Sequence, residues 1–314
     1  MTKDQQLTYE NTHDHHGMAP PPNFNVQTDS NYHYIPTKSA CIIFFILFGV
    51  SGLIHAFQAF YFRMRWLLAT AFLACVGETV GWAARYWSSL TYGTPQTPFT
   101  MQICTTIIAP TFLLAVYFTL LGRIILTLGP QYSRLSPRLY FRIFLTIDIV
   151  CLVVQALGGG WASGASDPRP GADMMLGGII LQLVALVTFN ILGAEFLWRF
   201  HNERPIRDAQ PYTPASSSNT ISPKINAEKG SPRFNYSSKR LQALVIGVVI
   251  SNICLIIRGI YRTAELADGF NGRIISTEIY FILFDGAMVA VATLALNIMH
   301  PGYLLPREIL DAKY

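Results

Sequence analysis

The chain has 314 residues, 51% hydrophobic and only 13% charged, about half the roughly 25% charge content of soluble globular proteins. Its net charge of +5 comes from basic residues that border apolar runs and form no patch. So little charge cannot cover a soluble surface, and the dispersed bases do not make a nucleic-acid footprint. A soluble enzyme and a nucleic-acid-binding module are both excluded, and the composition is that of a polytopic membrane protein.

Residues 1–39 read as a disordered extracellular or lumenal tail, polar, with Pro20-Pro21-Pro22 and a His13-Asp14-His15-His16 group taken as solvated and not as a metal site. The tail has no apolar stretch of signal-peptide type. A hydrocarbon core of roughly 30 Å takes about 20 apolar helical residues to cross. Seven windows qualify, at about 41–62, 67–88, 101–121, 142–164, 175–198, 241–262 and 277–299. Lipid offers the backbone no hydrogen bonds, so each window is predicted helical. The expected fold is an all-α bundle of seven transmembrane helices spanning 40–303, with Trp66, Trp87, Trp161 and Trp198 near span ends as interfacial anchors.

Between spans five and six, about 200–240, the chain is rich in Pro, Ser and charge and is expected to be a disordered loop. Its Ser222-Pro223-Lys224 and Ser231-Pro232-Arg233 suit a proline-directed kinase, a candidate partner acting on Ser222 and Ser231. Residues 304–314 form a short tail. Of the basic residues outside the spans, 16 fall beside the loops after spans one, three and five and in the C-terminal tail, against 4 on the opposite side. That bias predicts an outer N-terminus, with the 200–240 loop and the C-terminus cytoplasmic.

Four spans repeat one pattern, two polar residues seven apart, which is two turns and nearly one helix face. The pairs are Glu78 and Arg85 in span two, Asp148 and Gln155 in span four, Arg258 and Glu265 in span six, and Glu278 and Asp285 in span seven, with Arg262 one turn beyond Arg258. Span three has no central charge, and span five only Gln182, Asn190 and, near one end, Glu195. Spans two, four, six and seven are therefore expected to face a polar interior. An ionisable side chain in hydrocarbon is costly unless paired or hydrated, so each marks a candidate site.

On the predicted topology three bases and four acids meet in the outer half, and Asp148 alone belongs to the inner half. Interhelical ion pairs around a hydrated cavity for a headgroup are expected, with Asp285, the deepest acid of span seven, as the candidate for coupling. His55 and His300 read as single interfacial residues on the inner side. The five Cys read as small apolar residues, and Gly158-Gly159-Gly160 as a site of close helix packing. Neither a metal nor a cofactor is expected.

Together these residues resemble the fungal lipid-translocating exporter family, the RTA-type seven-span resistance proteins. The resemblance covers about 40–303 and rests on Glu78-x-x-Gly81-Trp82-x-x-Arg85, on Asp148 with Gln155 and Gly158-Gly159-Gly160, and on Arg258-x-x-Tyr261-Arg262-x-x-Glu265. Gly269, Glu278, Asp285 and His300-Pro301 complete it, while Trp82 stands where the family usually has Tyr. The resemblance implies movement or export of sphingoid bases, phospholipids or toxic amphiphiles across a fungal plasma membrane, or alternatively a vacuolar or other endomembrane. It makes these polar residues, Tyr261 included, candidates for substrate binding or coupling. An enzyme is not expected, because the His and Asp set of a membrane zinc hydrolase and the nucleotide phosphate loop are both missing. The alternative is a seven-span receptor or membrane stress sensor, although span three ends in Leu121-Gly122-Arg123 and not in an acidic-Arg-aromatic triplet.

Overall fold

The computed structural model describes residues 24–164, 169–206, 239–269 and 272–305. Seven helices are long and apolar enough to cross a membrane. They are α1 (Lys38–Tyr61), α2 (Arg65–Leu90), α3 (Gln96–Leu128), α4 (Pro137–Gly164), α5 (Arg169–His201), α6 (Lys239–Asp268) and α7 (Glu278–Leu304). No strand occurs among the described residues. The all-α, seven-span expectation holds, and each predicted window lies along one helix. Helices α3 and α5, 33 residues each, reach about 50 Å at 1.5 Å per residue and so outrun the hydrocarbon core. Their first and last turns carry polar residues that the apolar windows could not register.

Glycine and proline set the stop between α3 and α4. Gly129 takes φ 128°, a backbone closed to other residues without strain, and Pro130 then starts a short 3₁₀ turn. Helix α4 opens on Pro137, whose missing N–H costs nothing at a first turn.

The helices pack in chain order into a ring that α7 closes against α1, and α3 also touches α5 and α6. In its apolar window α3 is 61% buried, against 28% for α1, α4 and α5, so α3 is the central helix. The sequence pattern pointed to spans two, four, six and seven. Span three was missed because it is polar through Gln102, Thr106 and Thr111 and not through charge. Large apolar side chains such as Leu53, Phe57 and Ile298 stand exposed around the outside, as a lipid-facing surface requires.

Helices α4 and α5 meet backbone to backbone, since a Cβ on Gly158 would lie 2.7 Å from the Gly171 carbonyl oxygen. Close packing thus holds for Gly158, while Gly160 has no neighbour within 4 Å of such an atom. Four of the five Cys are buried, and Cys104 is exposed.

Residues 24–37 differ from the expected tail. They form a strap across one end of the bundle, fastened by Asn31, whose backbone N–H and side-chain amide both donate to the Gly93 carbonyl at 3.0 Å. The His13 to His16 group, Ser222, Ser231, most of the 200–240 loop and residues 306–314 lie outside the described residues.

Candidate functional site

Two local departures from α-helical geometry build the site. Pro110, inside α3, has no N–H for the Thr106 carbonyl four residues back. That carbonyl accepts from Arg258 Nη2 at 2.5 Å, and Thr106 Oγ1 accepts from Arg262 Nη2 at 3.1 Å. The second departure is a π-helical stretch in α7, Ile282–Ala287, which contains Asp285. An inserted residue of this kind rotates the helix face, and such stretches recur at functional sites. Glu278 and Asp285 consequently do not share partners as a regular two-turn spacing would have them do.

Arg85 pairs with Glu278 at 3.2 Å, whereas Asp285 lies 2.8 Å from both Arg258 and Arg262. Arg262 also holds Glu265 at 2.9 Å, and the Tyr261 hydroxyl donates to the other Glu265 oxygen at 2.7 Å. Asp285 is therefore clamped by two guanidiniums. Glu78 is fully buried, and neither of its carboxylate oxygens makes a hydrogen bond. The acid surplus of the sequence resides there. Burying pairs costs several kcal/mol of desolvation per ion, which only close geometry and added hydrogen bonds offset.

Asp148 and Gln155 are not part of this cluster. Gln155 Nε2 donates to Gln182 Oε1 at 3.0 Å, and Gln182 Nε2 donates to Asp148 Oδ1 and, at 3.3 Å, to Thr111 Oγ1. This smaller network ties α4 to α5 and α3. Gln182 is the residue whose part the charge pattern understated.

Arg85, 1% exposed, is ringed by aromatics, with its guanidinium carbon 4.3 Å from the Phe281 ring centre, 5.1 Å from Tyr32 and 5.5 Å from Tyr34. Cation–π attraction of this kind gains strength as water is excluded. Its Nη2 donates to the Tyr34 hydroxyl at 2.6 Å. Burial pushes the Tyr32 phenol up to about 12 and raises Tyr34 as well, the nearby Arg85 charge offsetting part of each rise. The strap is further held by Thr37, whose N–H and hydroxyl donate to the Glu278 carboxylate at 2.8 and 2.6 Å. Sequence reasoning missed Tyr32, Tyr34 and Thr37; tyrosines just before a span are the interfacial signal that could have found the first two.

Trp82 packs in place of the expected family Tyr. Its ring lies 4.3 Å from Phe44, and a Cβ on Gly286 would stand 2.5 Å from it. The indole thus fills the notch left by a glycine in the π stretch.

Beneath the strap lies a cavity of about 50 Å³ bordered by Tyr32, Tyr34, Arg85, Gln102, Arg262 and Glu265. A second, of about 40 Å³, lies along Gln155, Gln182 and Arg258. Ile107, Ile179 and Arg262 border both. Each has room for a few water molecules, so a headgroup enters only when the strap or the helices part.

The RTA1 like protein family model matches residues 71–308, which include every charged residue of this cluster. The chain belongs to the RTA1-like family. It is 29% identical over 304 residues to the sphingoid long-chain base transporter RSB1 of Saccharomyces cerevisiae, covering 90% of this chain and 77% of that one. Protoporphyrin uptake protein 1 of the same yeast is 24% identical, with 86% and 93% covered. Protein RTA1 is also 24% identical, with 86% and 84% covered. No solved structure matches the chain.

Proposed function

We propose that this RTA1-like chain translocates or exports lipids and amphiphilic compounds, among them sphingoid bases, phospholipids and toxic amphiphiles, across the plasma membrane. The observation that carries the reading is a headgroup-sized set of polar groups inside an apolar bundle. Arg85, Arg262, Glu265, Gln102 and two tyrosines border one cavity under a strap held at Gly93, at Glu278 and at Arg85. Relatives named for a sphingoid base and for a porphyrin, both amphiphiles, support it. Arg85, Arg262 and Glu265 act as headgroup contacts, and Arg258, Tyr261, Glu278 and Asp285 complete the frame that must reopen. Glu78 is its unpaired acid, and Asp148 with Gln155 forms the smaller network around Gln182.

Purified protein in lipid vesicles, given a fluorescent long-chain base on one side, tests the reading. Protein-dependent movement between leaflets, slowed by Gln102→Leu, is expected. Movement no faster than in empty vesicles for a long-chain base, a lysophospholipid and a porphyrin alike would overturn it.

The orientation belongs to the same proposal, with the strap outside and the α5–α6 connection cytoplasmic. Thr28 and Asn202 are both exposed and lie on either side of the predicted barrier. In a Cys104→Ala background, an impermeant thiol reagent on intact cells should mark Thr28→Cys and spare Asn202→Cys. The reverse pattern would invert the topology.

A further inference from the structure

A second polar set, outside the arginine cluster, runs between α1, α2 and α7. Ser51, His55 and Gln58 follow one face of α1, Cys75 and Glu78 lie one turn apart on α2, and Thr293, Asn297 and His300 come from the end of α7. None of these eight side chains is more than 8% exposed. His55 and His300, expected at the interface, are wholly buried. Asn297 Nδ2 donates to Ser51 Oγ at 2.5 Å, Cys75 Sγ lies 3.8 Å from the same hydroxyl, and Gln58 Nε2 donates to the Asn297 carbonyl at 3.0 Å.

Much of the set nevertheless makes no hydrogen bond within the protein. Both ring nitrogens of His55, Nε2 of His300, the amide oxygens of Gln58 and Asn297 and both oxygens of Glu78 are unpartnered. Native proteins leave few buried polar atoms in this condition, because each loses its hydration with nothing to replace it. His300 Nδ1 accepts from the Gly302 N–H at 3.1 Å, so its proton sits on the unpartnered Nε2. A packing role explains none of this: apolar side chains of similar volume would pack without the cost.

We infer that this track conducts protons between the His300 end of the bundle and Glu78, and that translocation is coupled to a proton. Ordered water bridging the unpartnered atoms supplies the links. A neutral imidazole takes a proton on one ring nitrogen and releases one from the other, which suits His55, whose ring has no side-chain hydrogen bond and has the Thr293 backbone beside it. One proton leaves water at the His300 end, and one O–H bond forms on the Glu78 carboxylate; the reverse step breaks that bond.

The groups facing Glu78 say what its proton would change. Asp285 faces it from α7, with Arg258 and Arg262 from α6; Arg85, on its own helix, is committed to Glu278. His55 is faced by His300. Ionised, Glu78 is a fourth acid among three arginines and competes with Asp285 for Arg258 and Arg262. Protonated, it leaves the clamp between α6 and α7 closed as observed. Each proton taken up or lost would thus lock or loosen the wall of the cavity.

The coupling rests on the translocation reading, so the test has two arms. In the first, infrared difference spectra of the purified protein are recorded as pH is lowered. A carboxylic-acid carbonyl band should appear, should be missing from Glu78→Gln, and should rise more slowly in His55→Leu. In the second, a pH gradient is imposed on vesicles supplied with fluorescent sphinganine. Gradient-driven accumulation should fall to the level of empty vesicles in His55→Leu, while exchange without a gradient persists. Ser51→Ala should slow both signals in part, and it guards against a folding defect in the histidine variant. If the band behaves as expected but no sphinganine moves, the translocation reading fails and the proton track stands. If the band is missing, or His55→Leu matches wild type in both arms, the track is wrong.

Discussion

Under the strap, each of Arg85, Arg258 and Arg262 has a carboxylate within 3.2 Å, whereas between α1 and α7 two buried histidines and two amides leave five polar atoms with no partner. The first region meets the cost of burying charge with close pairs, cation–π contacts and helix-end hydrogen bonds. The second leaves that cost standing. Arginines that each meet a carboxylate fix one arrangement of helices, and a set with many unpartnered atoms is a place where something else binds or passes. The contrast separates what holds this bundle shut from what could open it.

The largest effect expected comes from breaking the paired side. Arg262→Ala leaves Asp285 with Arg258 alone and Glu265 with the Tyr261 hydroxyl alone, and removing one partner of a buried pair costs up to roughly 3–5 kcal/mol. Thermal melting in detergent should show the loss, and Asp285→Asn added to it should restore part. In the same assay His55→Leu should be neutral or stabilising, because it removes unpartnered polar atoms. If the histidine variant costs as much as the arginine one, the two regions do not differ in kind.

A smaller effect should follow from Gly286→Ala. Its Cβ would press on the Trp82 ring at 2.5 Å, and overpacking costs typically about 1–3 kcal/mol. Trp82→Tyr, the residue usual in the family, should relieve the strain in the double variant. Additive losses would mean that the ring and the π stretch do not communicate.

Tyr34→Phe should cost less, about 1 kcal/mol, as expected for one partly exposed hydrogen bond. It deletes the 2.6 Å contact that ties the strap to Arg85. A thiol at Gln102→Cys, on the cavity wall, should then react faster with a small impermeant reagent. Unchanged reactivity would mean that the strap does not control access from that end.

Hydrophobic length made the seven helices legible, because lipid imposes one solution on each apolar run. The charged cluster was legible for a similar reason: Glu78, Arg85, Arg258, Arg262, Glu265, Glu278 and Asp285 are too costly in hydrocarbon to lie anywhere but inside. Which acid meets which base was not legible. The π stretch around Asp285 and the carbonyl freed by Pro110 are backbone events, and side-chain spacing on an ideal helix cannot show them. Gln182 was noted but understated, and the tyrosines of the strap escaped, because uncharged polar residues are tolerated at many depths. His55 and His300 looked interfacial because position along a span says little about which face of the helix they occupy.

The smallest expected effect is none at all, and it separates the strap from the buried proton track. The strap carries two titratable phenols at the cavity mouth, so a pH-dependent opening could be laid to them instead. Tyr32 ionises ordinarily at 10.0, and burial moves it in the folded protein to about 12; Tyr34 moves in the same direction. A folded value above the unfolded one means that the contribution to stability is complete below pH 10. It is lost only as pH rises toward 12, where deprotonation favours the detached strap. Strap attachment, followed by reactivity of Gln102→Cys over a pH series and corrected for the reagent's own thiolate dependence, should be flat from pH 6 to about 9. A rise in that interval, abolished by Tyr32→Phe, would place pH sensitivity in the strap and not in the buried track.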